Sequence, residues 1–435
     1  MRTFFSLFAF LLMGNSVVFG QNSVLLEFSR YADQSVVLTL KKGMRADTVF
    51  SGVFNSKGSV KITLPKTYDS YRGVAALKAG KQGEFEFLLA GENLTLRCSE
   101  TQVNNNNVVF VNSVENTALQ NWLTGQQRRR EKLKALAETL KVYTEDEPMF
   151  QTLKSEQQSI EKEQSNVDAT LDQSQLYAAK YIRLYNFLND DVGNILRTDD
   201  TGRAAIRQKM LKELDLDNLY TSGLWFRTIN GLLALYVKES PYHVYFIPDM
   251  WETMYRTQSE KVYTAFAENI VEICETLSWT GHSYEFAQLL SNDNRITEPK
   301  GILKKFFTAI FKVMKGSVAP ELSLGKMPQG NRLLAFLQDG CGHCERELNL
   351  LKQNYTFLKN RGYDVVTVMA DTDTTHFLST AAQLPWETKY CAITGFESVD
   401  FQTYGVIGTP TLYVIDEKGI IQGRYAQLED TGLLK

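Results

Sequence analysis

The rhythm of hydrophobic and polar positions divides this chain into three stretches. Between Val24 and Val111, short β-rich runs recur about every ten residues, among them Val36 to Leu40, Ser59 to Leu64, Glu84 to Phe87 and Asn93 to Leu96. Val60, Ile62 and Leu64 alternate with Lys61 and Thr63, and Phe85 and Phe87 with Glu84 and Glu86. Alternation with period two puts the apolar side chains on one face of a strand. The pattern predicts a β-sandwich-like domain over 21–112, with the polar run Asn104 to Asn107 as a loop near its end.

From about Glu115 to Lys312 the period lengthens to that of a helix. Leu133, Leu136, Leu140 and Tyr143 recur at i, i+3, i+7 and i+10, while Arg128, Arg129, Arg130 and the Glu/Lys/Gln-rich stretch Lys154 to Gln164 read as solvated faces of long helices. Tyr177, Tyr181 and Tyr185 form a stripe beside Ile182, Leu184 and Leu188, and that spacing predicts core. An all-α domain over 113–315 follows, with nothing in it that declares chemistry.

Helix breakers then gather at Gly316, Pro320, Gly325, Pro328 and Gly330, where a boundary is expected. Beyond them strand and helix alternate. The apolar run Leu333 to Leu337 leads into a helix from Cys341 to about Asn360, with Leu348, Leu351, Tyr355 and Leu358 on one face and Gly362 as its stop. Val365 to Met369 forms a second strand. After a further helix, Thr411 to Asp416, the turn Glu417 to Gly419 and a strand from Ile420 make a hairpin. This is an α/β layer with a mixed sheet over 316–435.

Composition changes this picture little. At 435 residues, 43% hydrophobic and 22% charged, the chain is of ordinary globular composition, and its net charge of -3 gives no reason to expect nucleic acid as a partner. The first twenty residues do stand apart. Arg2, the apolar stretch Phe4 to Val18, and Val18 and Gly20 at -3 and -1 read as a signal peptide over 1–20, cleaved before Gln21. An uncleaved membrane anchor is the alternative. Cleavage predicts a protein of the periplasm or the cell exterior.

In such a compartment a reactive thiol pair either donates disulfides or acts as a reductant supplied from elsewhere. Of the five cysteines, Cys98, Cys274 and Cys391 are scattered and read as small buried hydrophobes; the odd number leaves at least one thiol unpaired. Cys341-Gly342-His343-Cys344 is different. Two thiols on the first turn of a helix can close a strained, readily reopened disulfide, so redox exchange is the leading expectation. Metal ligation is disfavoured because His243, His282 and His376 are single and scattered, and no cofactor is called for.

From Gly316 onward the chain resembles the thioredoxin superfamily, specifically the exported thiol-disulfide oxidoreductases of the TlpA/ResA type. The matching residues are the cysteine tetrapeptide, Glu347, Leu384-Pro385-Trp386, Tyr404-Gly405-Val406, Gly408-Thr409-Pro410-Thr411, and Asp416 with Gly419. The upstream regions look like the accessory domains that often precede such a module. The resemblance implies that Cys341 attacks and Cys344 resolves, with protein thiols or disulfides as substrates and an unidentified membrane or periplasmic redox partner. It also implies that Pro410 follows a cis bond, so that the Thr409 backbone can pair with an extended substrate.

Glu347 lies where this subgroup carries a carboxylate able to relay a proton to Cys344, or it is an exposed helical glutamate. His343 either stabilises the Cys341 thiolate or faces solvent. The chain departs from the family twice: Gly340 replaces the customary tryptophan before the first cysteine, and only Leu428 to Lys435 remain for the last helix. The TlpA/ResA resemblance implies a reductant, whereas a histidine between the cysteines resembles disulfide-forming and isomerising members. A peptide- or partner-binding protein with a permanent Cys341–Cys344 staple is the other class. A peroxidase would need a P-x-x-x-T-x-x-C arrangement, absent here.

Overall fold

The computed structural model describes residues 23–81, 83–277 and 279–434, so the expected signal peptide at 1–20 lies outside the described residues. The chain divides into two compact units, the first ending at Leu235. That division falls inside the stretch 113–315 read as one helical domain.

The first unit opens with eight strands: β1 (Ser23–Phe28), β2 (Ser35–Lys42), β3 (Arg45–Val53), β4 (Ser59–Thr63), β5 (Gly73–Ala79), β6 (Gly83–Leu89), β7 (Leu94–Cys98) and β8 (Val109–Val111). They form two sheets, β4-β1-β7-β8 and β3-β2-β5-β6, antiparallel except for β1 beside β7. Leu26 and Leu96 from one sheet, and Leu38, Leu77 and Phe87 from the other, share a single core. This is the sandwich that alternation predicts. Strands β3 and β5 carry weaker signals: β3 is largely exposed, whereas β5 is apolar on both faces. Its Val74 packs with Leu88, Tyr177 and Ala178, outside the sandwich core.

Helices α1 (Val114–Leu140), α2 (Pro148–Gln173), α3 (Tyr177–Asn186), α4 (Asp200–Glu213), α5 (Leu216–Thr221) and α6 (Trp225–Leu232) complete this unit. Two buried polar residues dock α1. Asn116 exchanges two hydrogen bonds with the Leu88 backbone, and the Glu115 carboxylate accepts from the Tyr177 and Ala178 amides at the start of α3. Tyr177 is buried, as its spacing predicts. The expected solvated face fails at Arg129, which is buried and donates to Gln126, Glu163 and Gln164. Helices α1 and α2 lie side by side over their polar lengths, so a guanidinium with ready acceptors fills the seam between them.

The second unit begins with α7 (Phe246–Tyr255), α8 (Glu260–Thr276), α9 (Thr280–Ser291) and α10 (Gly301–Phe311). Then come β9 (Asn331–Gln338), α11 (Gly342–Asn360), β10 (Tyr363–Ala370), α12 (Thr374–Ala381), β11 (Thr388–Ala392), α13 (Val399–Thr403), β12 (Thr411–Ile415) and β13 (Ile421–Tyr425). The sheet order is β11-β10-β9-β12-β13, with β9, β10 and β11 parallel and the β12–β13 hairpin antiparallel to them. Leu351 and Leu358 of α11 cover one face of the sheet. On the other face, Ala309 of α10 packs with Phe401 and Tyr404. Gly405 is obligatory there: its φ is +61°, and a Cβ would lie 2.5 Å from the Lys305 carbonyl oxygen and the Ala309 amide nitrogen. In place of a last helix, Leu428–Thr431 makes one 3-10 turn. Among the described residues no helix is long and apolar enough to cross a membrane.

Candidate thiol-disulfide site

Strand β9 ends at Gln338, and the chain must turn sharply to enter α11. Gly340 supplies the turn with φ +67°, and nothing lies within 4 Å of where its Cβ would be. The space that a tryptophan would cover is thus open. Cys341 is the N-cap of α11, and its Sγ accepts the Cys344 amide proton at 3.4 Å. Donation from an orphan amide, with the helix dipole behind it, favours negative charge on that sulfur.

The two thiols are unequal. Cys341 is half-buried and directs its Sγ toward the Thr409 carbonyl oxygen, 3.8 Å away. Cys344 is 3% exposed, and burial first, then its hydrogen bond with Cys341, pushes its thiol up to about 12. The Thr409–Pro410 peptide is cis, and both residues are half-buried beside the cysteines. Thr409 also donates from Oγ1 to the Gln338 side chain at 3.4 Å. Thus β9, α11 and the turn before β12 converge on one sulfur.

Glu347 is wholly buried, so the exposed-glutamate reading is set aside. Its Oε2 accepts the Leu428 amide at 2.8 Å and its Oε1 accepts from Arg346 at 3.1 Å. One turn past Cys344, the carboxylate ties α11 to the C-terminal 3-10 turn. His343 is exposed on the first turn of α11, the solvent-facing alternative. Trp386 is buried with its indole N–H on Thr367 at 3.1 Å.

Two groupings escaped the sequence because their members lie on different elements. His243 and His282 are ring neighbours with centroids 4.7 Å apart. His376 stands between Asp371 and Asp339, its Nδ1 2.8 Å from Asp371 Oδ2 and 3.4 Å from Asp339 Oδ1. The shorter separation is that of a hydrogen bond carrying the imidazole proton. The only sequence signal was position: Asp339 and Asp371 each directly follow a parallel strand. Of the remaining cysteines, Cys98 and Cys274 are buried as expected, whereas Cys391 is half-buried with its Sγ on the Asp371 carbonyl.

Residues 311–424 match the AhpC/TSA family. That match coincides with the mixed sheet, the N-capping cysteine and the cis-proline turn. The C-terminal segment has a thioredoxin-like fold. Three solved structures are similar to it. A Chlorobium tepidum protein described as a thiol:disulfide interchange protein is 26% identical, over 28% of this chain and 94% of that one, with a TM-score of 0.25. A thiol-disulfide oxidoreductase from Bacteroides fragilis is 25% identical, over 27% and 97%, with a TM-score of 0.25. A thioredoxin-like protein from Parabacteroides distasonis is 16% identical, over 28% and 95%, with a TM-score of 0.26. Scores this low leave the topology and the family match to identify the fold. No curated protein matches the chain.

Proposed function

We propose that this protein is an extracytoplasmic thiol-disulfide oxidoreductase of the TlpA/ResA kind that reduces protein disulfides through Cys341 and Cys344. The observation that carries the reading is the inequality of the two thiols: one stands at the helix N-cap, while burial holds the other protonated. The Cys341 thiolate attacks one sulfur of a substrate disulfide. The substrate S–S bond breaks, a mixed disulfide forms, and the departing sulfur takes a proton. Cys344 then loses its proton and attacks Cys341 Sγ, releasing the second substrate thiol and leaving Cys341–Cys344 oxidised. Two electrons pass to the substrate, and a membrane or periplasmic reductant returns them. The Thr409 backbone, beside Cys341, is the surface on which an extended substrate strand pairs.

Insulin reduction tests this. Wild type turns over; Cys341→Ser is inactive; Cys344→Ser accumulates the mixed disulfide, visible as an insulin-sized adduct on non-reducing gels. The absence of any cysteine-dependent turnover would leave a binding protein with a structural module. A Cys341/Cys344 potential near the strongly oxidising end of a glutathione series would sink the reductase direction and favour a disulfide donor.

A further inference from the structure

The segment that presents Cys341 is held at a point two residues earlier. The Asp339 amide donates to the Ala370 carbonyl at 3.2 Å, joining the ends of β9 and β10, and its carboxylate reaches His376 of α12. His376 is itself fixed. Its Nδ1 is hydrogen-bonded to Asp371, whose side chain is buried and whose Oδ1 accepts the Asp373 amide at 2.8 Å. Asp373 in turn caps α12, accepting from the Thr375 and His376 amides. One imidazole therefore bridges the end of β10 to the turn that carries the proposed attacking thiol.

We infer that His376 is a positioning residue for the dithiol: as an imidazolium held by Asp371, it neutralises Asp339 and keeps that carboxylate from opposing negative charge on Cys341. This inference rests on Cys341 being the attacking thiol. A neutral His376 could still donate to Asp371, but only the cation compensates Asp339 as well. The charged groups facing His376 are Asp339 from the β9 turn, Asp371 from the end of β10 and Asp373 at the cap of α12; Cys391 of β11 faces the Asp371 carbonyl. The hydrogen bond to Asp371 and then the charge of Asp339 raise the His376 pKa above its ordinary value of 6.5, so the imidazolium is present at pH 6 and is lost as pH rises through that raised value. Asp339 and His376 are both about half exposed, so water screens the effect and the expected change is modest.

The test is the iodoacetamide alkylation rate of the reduced full-length protein at pH 6 and pH 9, with the modified cysteine identified by peptide mapping. At pH 6, His376→Gln is expected to slow Cys341 alkylation about threefold, the size of one partly screened charge carried two residues from the thiol on the same turn. Toward pH 9 the deficit narrows, because the wild-type imidazole loses its charge as pH rises through its raised value while the glutamine carries none at either pH. Adding Asp339→Asn to His376→Gln restores the pH 6 rate, which repair of a merely structural defect in α12 would not do. Equal rates at pH 6, an equal deficit at both pH values, or a deficit that Asp339→Asn leaves in place each overturns the inference while the role of Cys341 stands. Alkylation that maps to Cys344 in preference to Cys341 removes the thiol assignment and this inference with it.

Discussion

Replacing Glu347 separates its anchoring role from any part in proton transfer. In Glu347→Ala the Leu428 amide loses its acceptor in a site where both residues are wholly buried, which costs about 1–3 kcal/mol. The side-chain methylene beyond Cβ also leaves a void, adding about 1 kcal/mol. The sum is about 2–4 kcal/mol. Glu347→Gln keeps the shape and one acceptor for Leu428 and loses only the charge opposite Arg346, whose side chain is 52% exposed; an exposed partner of that kind is worth about 0–1 kcal/mol. Amide hydrogen exchange of the 425–434 peptide reads the difference locally. Glu347→Ala should exchange about fivefold or more faster than Glu347→Gln, as a gap of about 1 kcal/mol or more requires. Equal exchange in the two variants would refute the claim that the Leu428 hydrogen bond anchors the C-terminal turn. Insulin turnover supplies the second readout. A carboxylate acting only through Leu428 leaves Glu347→Gln near wild type, the expected result, whereas one that moves the Cys344 proton would lose about 10²-fold or more.

Two further predictions concern the second unit. Glu275 of α8 holds Arg424 of β13 through a bidentate pair, with 3.1 Å for one of its bonds, and both side chains are largely buried; Glu275→Ala strands the guanidinium and should destabilise this unit by about 3–5 kcal/mol in urea unfolding followed by near-ultraviolet circular dichroism. No loss would show that water reaches Arg424. Burial, and then the charge of the neighbouring His243, lowers the His282 pKa below 6.5, so its contribution to stability is complete above the unfolded value and is lost as pH falls through 6.5 toward the lower folded one. Thermal melting at pH 7.5 and 5.5 should show that loss, and His282→Gln should reduce it; an unchanged pH slope in the variant would remove His282 as its source.

How much of this was legible beforehand depended on where each signal lies. The sandwich strands β2, β4, β6 and β7 could be read because one face alternates against a core. Strand β11 could not: it is half-exposed along most of its length, and only Ala392 is buried. The cysteine pair, the proline turn and Glu347 were visible as a motif in order. Local sequence could not show that Glu347 is buried, because its partner, Leu428, lies 81 residues away.

By itself, then, the sequence determined the three styles of structure, the sandwich alternation, the mixed α/β layer and the thiols at a helix start, all of which depend on periodicity and near neighbours. Tertiary structure alone decided which groups share a site. It divided the helical stretch at Leu235, buried Arg129 between two polar helices, and brought Asp339, Asp371 and His376 to one edge of the sheet. Parallel strands gather their C-terminal ends wherever they sit in the chain, so residues 37 positions apart can form one ion pair, and no local pattern records that meeting.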